Sequence, residues 1–253
     1  MDRHTELAER VAVIVGGTGG IGAATARLLA ALGATVVIGF NKGADAADQL
    51  VGSLDAVSTR HRAVRMAMDE TPTLNAAAAM VEAEFGRCDI LVNAAGFTDA
   101  IAHHDLQRLD DETFDRILTA NVRGPFACVR AFAPLMQRTG DATIVNVSSI
   151  SAFTGSGSNI AYCASKAALD TMGMSLARVL GPAVRVLSVS PAAVNTGFVP
   201  GRDVSALQRV ADKTPLKRIV EPEEVARAIV ACVTHLTAAT GTTIVIDGGR
   251  HLS

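Results

Sequence analysis

Residues 11–22 read VAVIVGGTGGIG, a continuous apolar run that leads directly into a glycine-rich turn. Such a run is typical of a parallel strand covered on both faces, and a helical pattern follows to about residue 32. Glycines let a backbone approach a pyrophosphate closely, and the N–H groups at a helix start meet its negative charge. Strand, turn and helix together therefore predict a dinucleotide-binding unit. The residues predicted to contact the dinucleotide here are Gly16, Thr18, Gly19, Gly20, Ile21 and Gly22.

The glycine spacing by itself is a weak signal. Gly16, Gly20 and Gly22 depart from the common GxGxxG pattern, and any tight strand-to-helix connection favours glycine. The sequence contains no GxxxxGK[ST], which disfavours a P-loop NTPase.

Strand and helix patterns alternate along the rest of the chain. Further strands are predicted at 35–40, 63–68, 88–92, 143–147, 184–190 and 243–246. Helices are predicted at 44–55, 73–85, 110–139 with a break near Gly124-Pro125, from about 159 onwards, and at 223–234. This alternation predicts one α/β domain over residues 1–253, a Rossmann-type doubly wound parallel sheet of about seven strands with helices on both faces. The polar segment at about 197–215 is predicted to be a flexible substrate lid.

The end of the second predicted strand bears on the choice between NAD and NADP. Many NAD sites place an acid there to bind the adenosine ribose, but this chain has Phe40-Asn41-Lys42. Asn41 and Lys42 would not repel a ribose phosphate, and Lys42 could pair with it. We therefore expect NADP(H) to be preferred. Asp45, interpreted first as an N-cap of the next helix, keeps NAD(H) possible.

Other candidate contacts also follow strands directly, where ligands of doubly wound sheets bind. Asp69 could accept a hydrogen bond from the adenine amino group, or could equally be a plain loop carboxylate. Small residues after the fourth strand would let the backbone lie against a flat ligand, or would simply make a close turn. The remaining predicted cofactor contacts are Asn93, Ala94, Ala95, Gly96, Pro191, Val194 and Thr196.

Residues 149–166, SISAFTGSGSNIAYCASK, join a strand to a long helical pattern. Tyr162 and Lys166 are four residues apart, so they share one face of a helix. A phenol has a pKa of about 10, and a nearby ammonium lowers that pKa, which makes the phenol an acid–base group for carbonyl or alcohol chemistry. Ser149 could orient the same oxygen. The alternative is an ordinary amphipathic helix with a surface lysine and a half-buried tyrosine.

The composition limits the other classes of function. Among 253 residues, 49% are apolar and 19% charged, with a formal net charge of −2, so neither nucleic acid nor an anionic membrane is expected as a partner. The N-terminus lacks the apolar segment of a signal peptide, and no apolar run reaches the ~20 residues of a membrane-spanning helix. The four cysteines are far apart, which predicts reduced core residues in a cytoplasmic protein and no metal site. They are Cys88, Cys128, Cys163 and Cys232.

From about Val11 to Gly249 the chain resembles the short-chain dehydrogenase/reductase family in its compact single-domain form. The similar stretches are residues 15–22 (TGxxxGIG), 93–96 (NNAG), 121–124 (NxxG), Ser149 with Tyr162 and Lys166 (serine and YxxxK), and 191–196 (PGxxxT). Val15, Ala94 and Ala192 are the departures from these patterns. Each motif is weak alone, but their order and spacing together are specific.

The resemblance implies a catalytic set of Asn121, Ser149, Tyr162 and Lys166. Tyr162 would be the general acid in reduction and the base in oxidation, and Ser149 would position the substrate oxygen. Lys166 would lower the pKa of the tyrosine and bind the nicotinamide ribose, while Asn121 would continue a proton relay through a water. Thr196 would hold the carboxamide of the nicotinamide.

The expected function is NADP(H)-dependent interconversion of a ketone or 3-oxoacyl group and a secondary alcohol. The resemblance includes reductases whose substrate is linked to a carrier or to CoA. Arg130 lies where these reductases carry a basic docking residue, although it could equally be an ordinary surface arginine. The alternatives are an NAD-dependent dehydrogenase of a secondary alcohol, sugar or diol and, less favoured, a non-catalytic dinucleotide sensor. The resemblance also implies a homotetramer. The substrate walls are expected at 97–106, 151–157 and 197–210, with an apolar lining from Phe153, Phe198, Val199 and Leu207.

Overall fold

A computed structural model describes residues 6–54, 60–201 and 204–253 of the chain. Its centre is a seven-stranded parallel sheet in the order β3-β2-β1-β4-β5-β6-β7. The strands are β1 (Val11–Val15), β2 (Thr35–Phe40), β3 (Arg62–Arg65), β4 (Ile90–Asn93), β5 (Ala142–Val147), β6 (Val184–Pro191) and β7 (Thr242–Ile246). The predicted doubly wound Rossmann-type sheet is confirmed.

Helices lie on both faces of this sheet. They are α1 (Gly20–Ala31), α2 (Ala44–Gly52), α3 (Thr71–Phe85), α4 (Asp111–Leu118), α5 (Gly124–Thr139), α6 (Ser151–Thr154), α7 (Ile160–Leu180), α8 (Val204–Lys213) and α9 (Pro222–Thr234). A π-helical turn, Thr119–Arg123, joins α4 to α5, and a 3₁₀ turn, Arg250–Leu252, ends the chain. None of the helices that the structure describes is long and apolar enough to cross a membrane.

The alternation of side chains along β1 explains why the sheet is covered on both faces. Val13 points into a core that includes Phe132 of α5 and Leu176 of α7. Ile14 points the other way, into a core that includes Leu29 of α1 and Ile229 of α9. Burying an aliphatic side chain of this kind stabilises the fold by about 1.5–3 kcal/mol, so both faces contribute.

The break predicted at Gly124-Pro125 is the point where the π-helical turn passes into α5. A side chain at position 124 would place its Cβ only 2.6 Å from Cβ of Met68 and 2.8 Å from its carbonyl oxygen. The glycine therefore lets the helix approach the segment after β3, and the π-helical turn stands immediately before this contact.

Two local expectations are corrected by the structure. Asp45 is not the N-cap of α2, because Gly43 holds that position with φ of 80° and Asp45 lies in the first turn. Within the segment at 197–215 that is predicted to be a polar, flexible lid, residues 204–213 form α8, a helix that the sequence analysis did not predict. The role of this segment as a lid stays a prediction. Positions 202 and 203 of that segment lie outside the described residues.

Candidate active site

The ends of β1, β4, β5 and β6 open into a cavity of about 950 Å³. Parallel strands place their carboxyl ends at one edge of a sheet, so segments far apart in sequence meet here. The described residues that line the cavity are Gly19, Gly20, Ile21, Gly22, Ala94, Ala95, Gly96, Val147, Ser148, Ser149, Ile150, Ser151, Phe153, Thr154, Ser156, Gly157, Ser158, Tyr162, Lys166, Pro191, Ala192, Ala193, Val194, Thr196, Gly197, Phe198, Val199, Val210, Arg250, His251 and Ser253.

The glycine-rich turn is packed too closely for side chains at several positions. Gly16 has φ of 74°, and a Cβ there would lie 2.7 Å from the backbone of Ala95. A Cβ on Gly22 would lie 2.2 Å from the carbonyl oxygen of Gly16, and one on Gly20 would lie 2.6 Å from Cγ2 of Thr196. The start of α1 therefore faces the cavity as bare backbone. This arrangement fits a pyrophosphate, because the first N–H groups of a helix have no partners within it.

Lys166 is held inside the protein beside the cavity. Its side chain is only 4% exposed, and Nζ donates a hydrogen bond of 2.8 Å to the carbonyl oxygen of Val147 at the end of β5. Burial lowers the pKa of Lys166 from 10.5 to about 8, and the negative charge of Asp170, one turn further along α7, partly opposes this effect. Burial also raises the pKa of Asp170.

Tyr162 stands in the first turn of α7, which Asn159 caps by accepting a hydrogen bond of 2.7 Å from the Tyr162 N–H. The Nζ atom of Lys166 lies 5.6 Å from the centroid of the tyrosine ring. The ring of Phe198 lies 6.0 Å from the tyrosine ring, centroid to centroid. The predicted pair therefore does share one helical face, and that face borders the cavity.

Ser149 follows β5 and also borders the cavity. It is 7% exposed, its Oγ donates to Oγ of Ser151 at 3.1 Å, and the same Oγ accepts from the Ser151 N–H at 3.2 Å. The first turn of α6 thereby fixes the position of the hydroxyl.

Asn121 lies behind the cavity wall, in the π-helical turn, and is fully buried. Its amide oxygen accepts a hydrogen bond of 2.8 Å from the Phe97 N–H, and its amide nitrogen donates to the Phe97 carbonyl oxygen at 2.9 Å. The same nitrogen donates to Oγ of Ser165 at 3.0 Å. Asn121 thus ties the loop after β4 to α7.

The other predicted cofactor residues divide into three groups. Ala94, Ala95, Gly96, Pro191, Val194 and Thr196 line the cavity together with residues 19–22 and the Tyr162–Lys166 pair. Gly16 and Asn93 lie beneath it, since Asn93 is buried and donates to Asn146 at 2.9 Å. Thr18, Asn41, Lys42 and Asp69 are exposed and lie outside the cavity lining.

Comparison with known proteins identifies the family. A family model described as enoyl-(acyl carrier protein) reductase matches residues 16–251. The cis-4-hydroxycyclohexanecarboxylate dehydrogenase of Sinomonas cyclohexanicum is 36% identical over 96% of this chain and 97% of its own length. The 3-oxoacyl-[acyl-carrier-protein] reductase of Thermotoga maritima is 32% identical over 96% of this chain and 98% of its own. A solved short-chain dehydrogenase/reductase from Brucella melitensis, described as a glucose/ribitol dehydrogenase, superposes with a TM-score of 0.90 at 29% identity, covering 97% and 98% of the two chains.

The chain belongs to the short-chain dehydrogenase/reductase family. It is therefore an oxidoreductase of a family that acts on secondary alcohols and ketones with nicotinamide dinucleotide cofactors.

The structure also shows which walls of this short-chain dehydrogenase/reductase the sequence interpretation missed. Phe153, Phe198 and Val199 line the cavity as expected, whereas Leu207 and the whole of residues 97–106 do not. The unexpected wall is the end of the chain, with Arg250, His251 and Ser253. No periodicity or spacing marked these residues, because their place beside the cavity depends on the packing of His251 against Phe153, which is distant in sequence.

Proposed function

We propose that the enzyme interconverts a ketone or 3-oxoacyl group and a secondary alcohol, with Tyr162 as general acid in reduction and general base in oxidation. The observation that carries the proposal is the position of Tyr162 and Lys166 on one cavity-facing turn, with Nζ 5.6 Å from the ring centroid. A cation near a phenol favours the phenolate, which is the form that takes a proton from an alcohol.

The neighbouring side chains have proposed roles that follow from their contacts. Ser149, fixed by Ser151, directs its hydroxyl group to the substrate oxygen. Lys166, anchored on Val147, supplies positive charge beneath the phenol. Asn121 holds the proton path behind Lys166 through the Phe97 loop and Ser165. The bound nicotinamide supplies or accepts the hydride, and these residues orient the reactants and handle the proton.

We infer that NADP(H) is preferred over NAD(H). The support is the end of β2, where Asn41 and Lys42 are exposed beside the glycine-rich turn and carry no negative charge. Asp45 follows in the first turn of α2, and an NAD-dependent alcohol, sugar or diol dehydrogenase is the alternative that would use it. Fluorescence titration with NADPH and, separately, with NADH distinguishes a preference for NADP(H) from a preference for NAD(H). NADPH is expected to bind about tenfold tighter, equivalent to about 1.4 kcal/mol. Tighter NADH binding would overturn the phosphate argument.

The mechanism is tested with Tyr162→Phe, which removes only the phenolic oxygen. We expect cofactor affinity to stay close to the wild-type value and turnover of a ketone to fall by about 100-fold to 10,000-fold, the usual contribution of a general acid. Ser53→Ala, which removes an exposed hydroxyl at the end of α2 that donates to the Leu50 carbonyl oxygen and lies outside the cavity lining, is the matched control. Undiminished turnover in Tyr162→Phe would refute the acid–base role. A wild-type protein that binds NADPH but reduces no carbonyl compound would favour the dinucleotide sensor.

Three further proposals complete the functional description. Residues 1–253 act as one dinucleotide-binding and catalytic domain, with the segment at about 197–215 as the substrate lid. The protein is a homotetramer that uses α7, α9 and β7. On these elements α7 exposes Met174 (43%) and Val179 (70%), and β7 exposes Val245 (37%). It works in the cytoplasm, where the four buried free cysteines would stay reduced. Sedimentation that shows only monomer at micromolar concentration would reject the tetramer.

A further inference from the structure

The last residues of the chain form one wall of the cavity. The 3₁₀ turn Arg250–Leu252 follows β7, and Arg250, His251 and Ser253 border the cavity beside Phe153. The rings of His251 and Phe153 meet edge to face, with centroids 5.9 Å apart. Tyr162 packs instead against Phe198, so the His251 ring and the tyrosine ring have different aromatic neighbours in the same cavity lining.

Asp247 holds this wall in place. One carboxylate oxygen accepts from the Gly249 N–H at 2.8 Å, and the other accepts from the His251 N–H at 2.8 Å and contacts Nδ1 of the same histidine at 2.6 Å. Asp247 is 5% exposed. Gly249 has φ of 85°, and a Cβ there would lie 2.9 Å from Pro215. The turn is therefore packed and bonded into one position.

The charge of the lining is one-sided. Of the described residues that border the cavity, Lys166, Arg250 and His251 carry or can carry positive charge, and none is Asp or Glu. Lys166 is bonded to Val147 and belongs to the proposed acid–base group. Arg250 is partly buried, and Nη1 donates to the neutral hydroxyl of Ser253 at 3.2 Å. Within the part of the chain that the structure describes, no carboxylate forms an ion pair with it. A partly desolvated guanidinium in this position favours an anion as its partner.

We infer that the substrate carries an anionic group, a carboxylate or a phosphate, which binds to Arg250 beside His251 while the reacting carbonyl lies at Tyr162. The inference rests on the proposed function and adds the substrate class. The fork of N–H donors on arginine matches the two oxygens of a carboxylate or phosphate. The phosphates of the cofactor are assigned instead to the glycine-rich turn at the start of α1.

Two matched pairs of ketones test the inference. The first is 4-oxocyclohexanecarboxylate and its methyl ester, and the second is S-acetoacetyl-4′-phosphopantetheine and S-acetoacetylpantetheine. Each pair differs by the anionic group at a distance from the carbonyl. We expect the wild type to prefer one anionic member by about tenfold or more in kcat/KM, equivalent to at least about 1.4 kcal/mol. The pair that shows the preference identifies the carboxylate or the phosphate as the source.

Arg250→Gln should remove this preference by lowering kcat/KM for the anionic ketone alone, with the neutral ketone and the NADPH affinity little changed. Arg250→Lys should keep part of the preference, since it retains the charge without the fork. Arg27→Gln, at an exposed arginine of α1 outside the cavity lining, is the matched control and should keep the preference whole. Equal kcat/KM within both pairs in the wild type would overturn the inference without any variant. An equal loss for charged and neutral ketones in Arg250→Gln, or a loss of NADPH affinity, would also overturn it.

A binding measurement separates this inference from the proposed function. If no ketone is reduced, the proposed function fails. Calorimetry of NADPH-loaded protein with cyclohexanecarboxylate, cyclohexanecarboxamide and inorganic phosphate then shows whether Arg250 binds an anion. Tighter binding of an anion than of the amide, lost in Arg250→Gln, would still support an anion site. Equal or absent binding would overturn it.

Discussion

Replacing Lys166 by Met should change how stability depends on pH. The ordinary lysine pKa of 10.5 applies to the unfolded chain, whereas burial lowers the folded-state value to about 8. Between these two values the unfolded state holds one more proton, so the wild type becomes more stable as the pH rises through this window. This difference in pKa corresponds to about 3 kcal/mol, and below about pH 8 the free energy of unfolding of the wild type is lowered by this full amount. Lys166→Met removes the titrating ammonium group, so the free energy of unfolding of the variant should lack this rise between about pH 8 and pH 10.5.

The measurement is a set of urea unfolding curves at fixed protein concentration from pH 7 to pH 10.5, for wild type and variant without cofactor. The free energy of unfolding of the wild type should rise by about 3 kcal/mol relative to Lys166→Met across that range. Other groups titrate as well, and most are common to both proteins. Because Lys166 also acts on Tyr162, both proteins are measured in a Tyr162→Phe background. The lost hydrogen bond to Val147 shifts the variant by a constant amount and leaves the pH-dependent part intact. Turnover should be lost in the variant at every pH.

Lys213→Met, at an exposed lysine of α8, is the control for losing a surface charge. Its free energy of unfolding should run nearly parallel to that of the wild type, because an exposed ammonium is hydrated in both states. A Lys166→Met difference that stayed constant with pH, or one in which the wild type lost stability as the pH rose, would refute the assignment of Lys166 as a buried, destabilised cation.

Two further variants test the glycine-rich turn and the surroundings of the lysine. Gly22→Ala would bring a methyl group 2.2 Å from the Gly16 oxygen. Urea unfolding should therefore show a free energy of unfolding lower by about 1–3 kcal/mol, and NADPH should bind more weakly. Gly52→Ala, where nothing lies within 4 Å, is the control and should be neutral or slightly stabilising. Equal stability of the two variants would contradict the close packing of the turn. Asp170→Asn removes the negative charge that raises the pKa of Lys166. The pKa of Lys166 should therefore fall below about 8 in this variant. The alkaline limb of the pH profile of kcat for reduction should move to lower pH with it. An unmoved limb would mean that Lys166 does not control the proton step.

The fold was predictable from sequence because its central strands are buried on both faces. Val11–Val15 is apolar without interruption, and its two sets of alternating side chains enter two different cores. A continuous aliphatic run followed by glycines has few other interpretations. β3 was predicted less well, with its end placed at residue 68 and not at Arg65, because it lies at the edge of the sheet with partly exposed side chains.

The candidate site was predictable only where chemistry and spacing coincide. Tyr162 and Lys166 could be paired because four residues make one helical turn, and the structure places both at the cavity. Their roles and the cofactor contacts stay predictions. The wall formed by Arg250 and His251 could not be predicted, since its place depends on Asp247 and on a contact with Phe153 from a distant part of the chain. Long-range packing of this kind leaves no pattern in the local sequence.

The strand order determines how the sheet is completed as the strands emerge from the ribosome one after another. β1 emerges before the other strands and becomes an interior strand of the sheet, and β2, β3 and β4 complete a four-stranded platform around it. After β4, each new strand pairs with the edge left by the one before, β5 on β4, β6 on β5 and β7 on β6. From β4 onwards, synthesis therefore extends the sheet in one direction only. The glycine-rich turn is complete early, α7 brings Tyr162 later, and the turn at Arg250, which follows β7, adds its wall to the cavity after both.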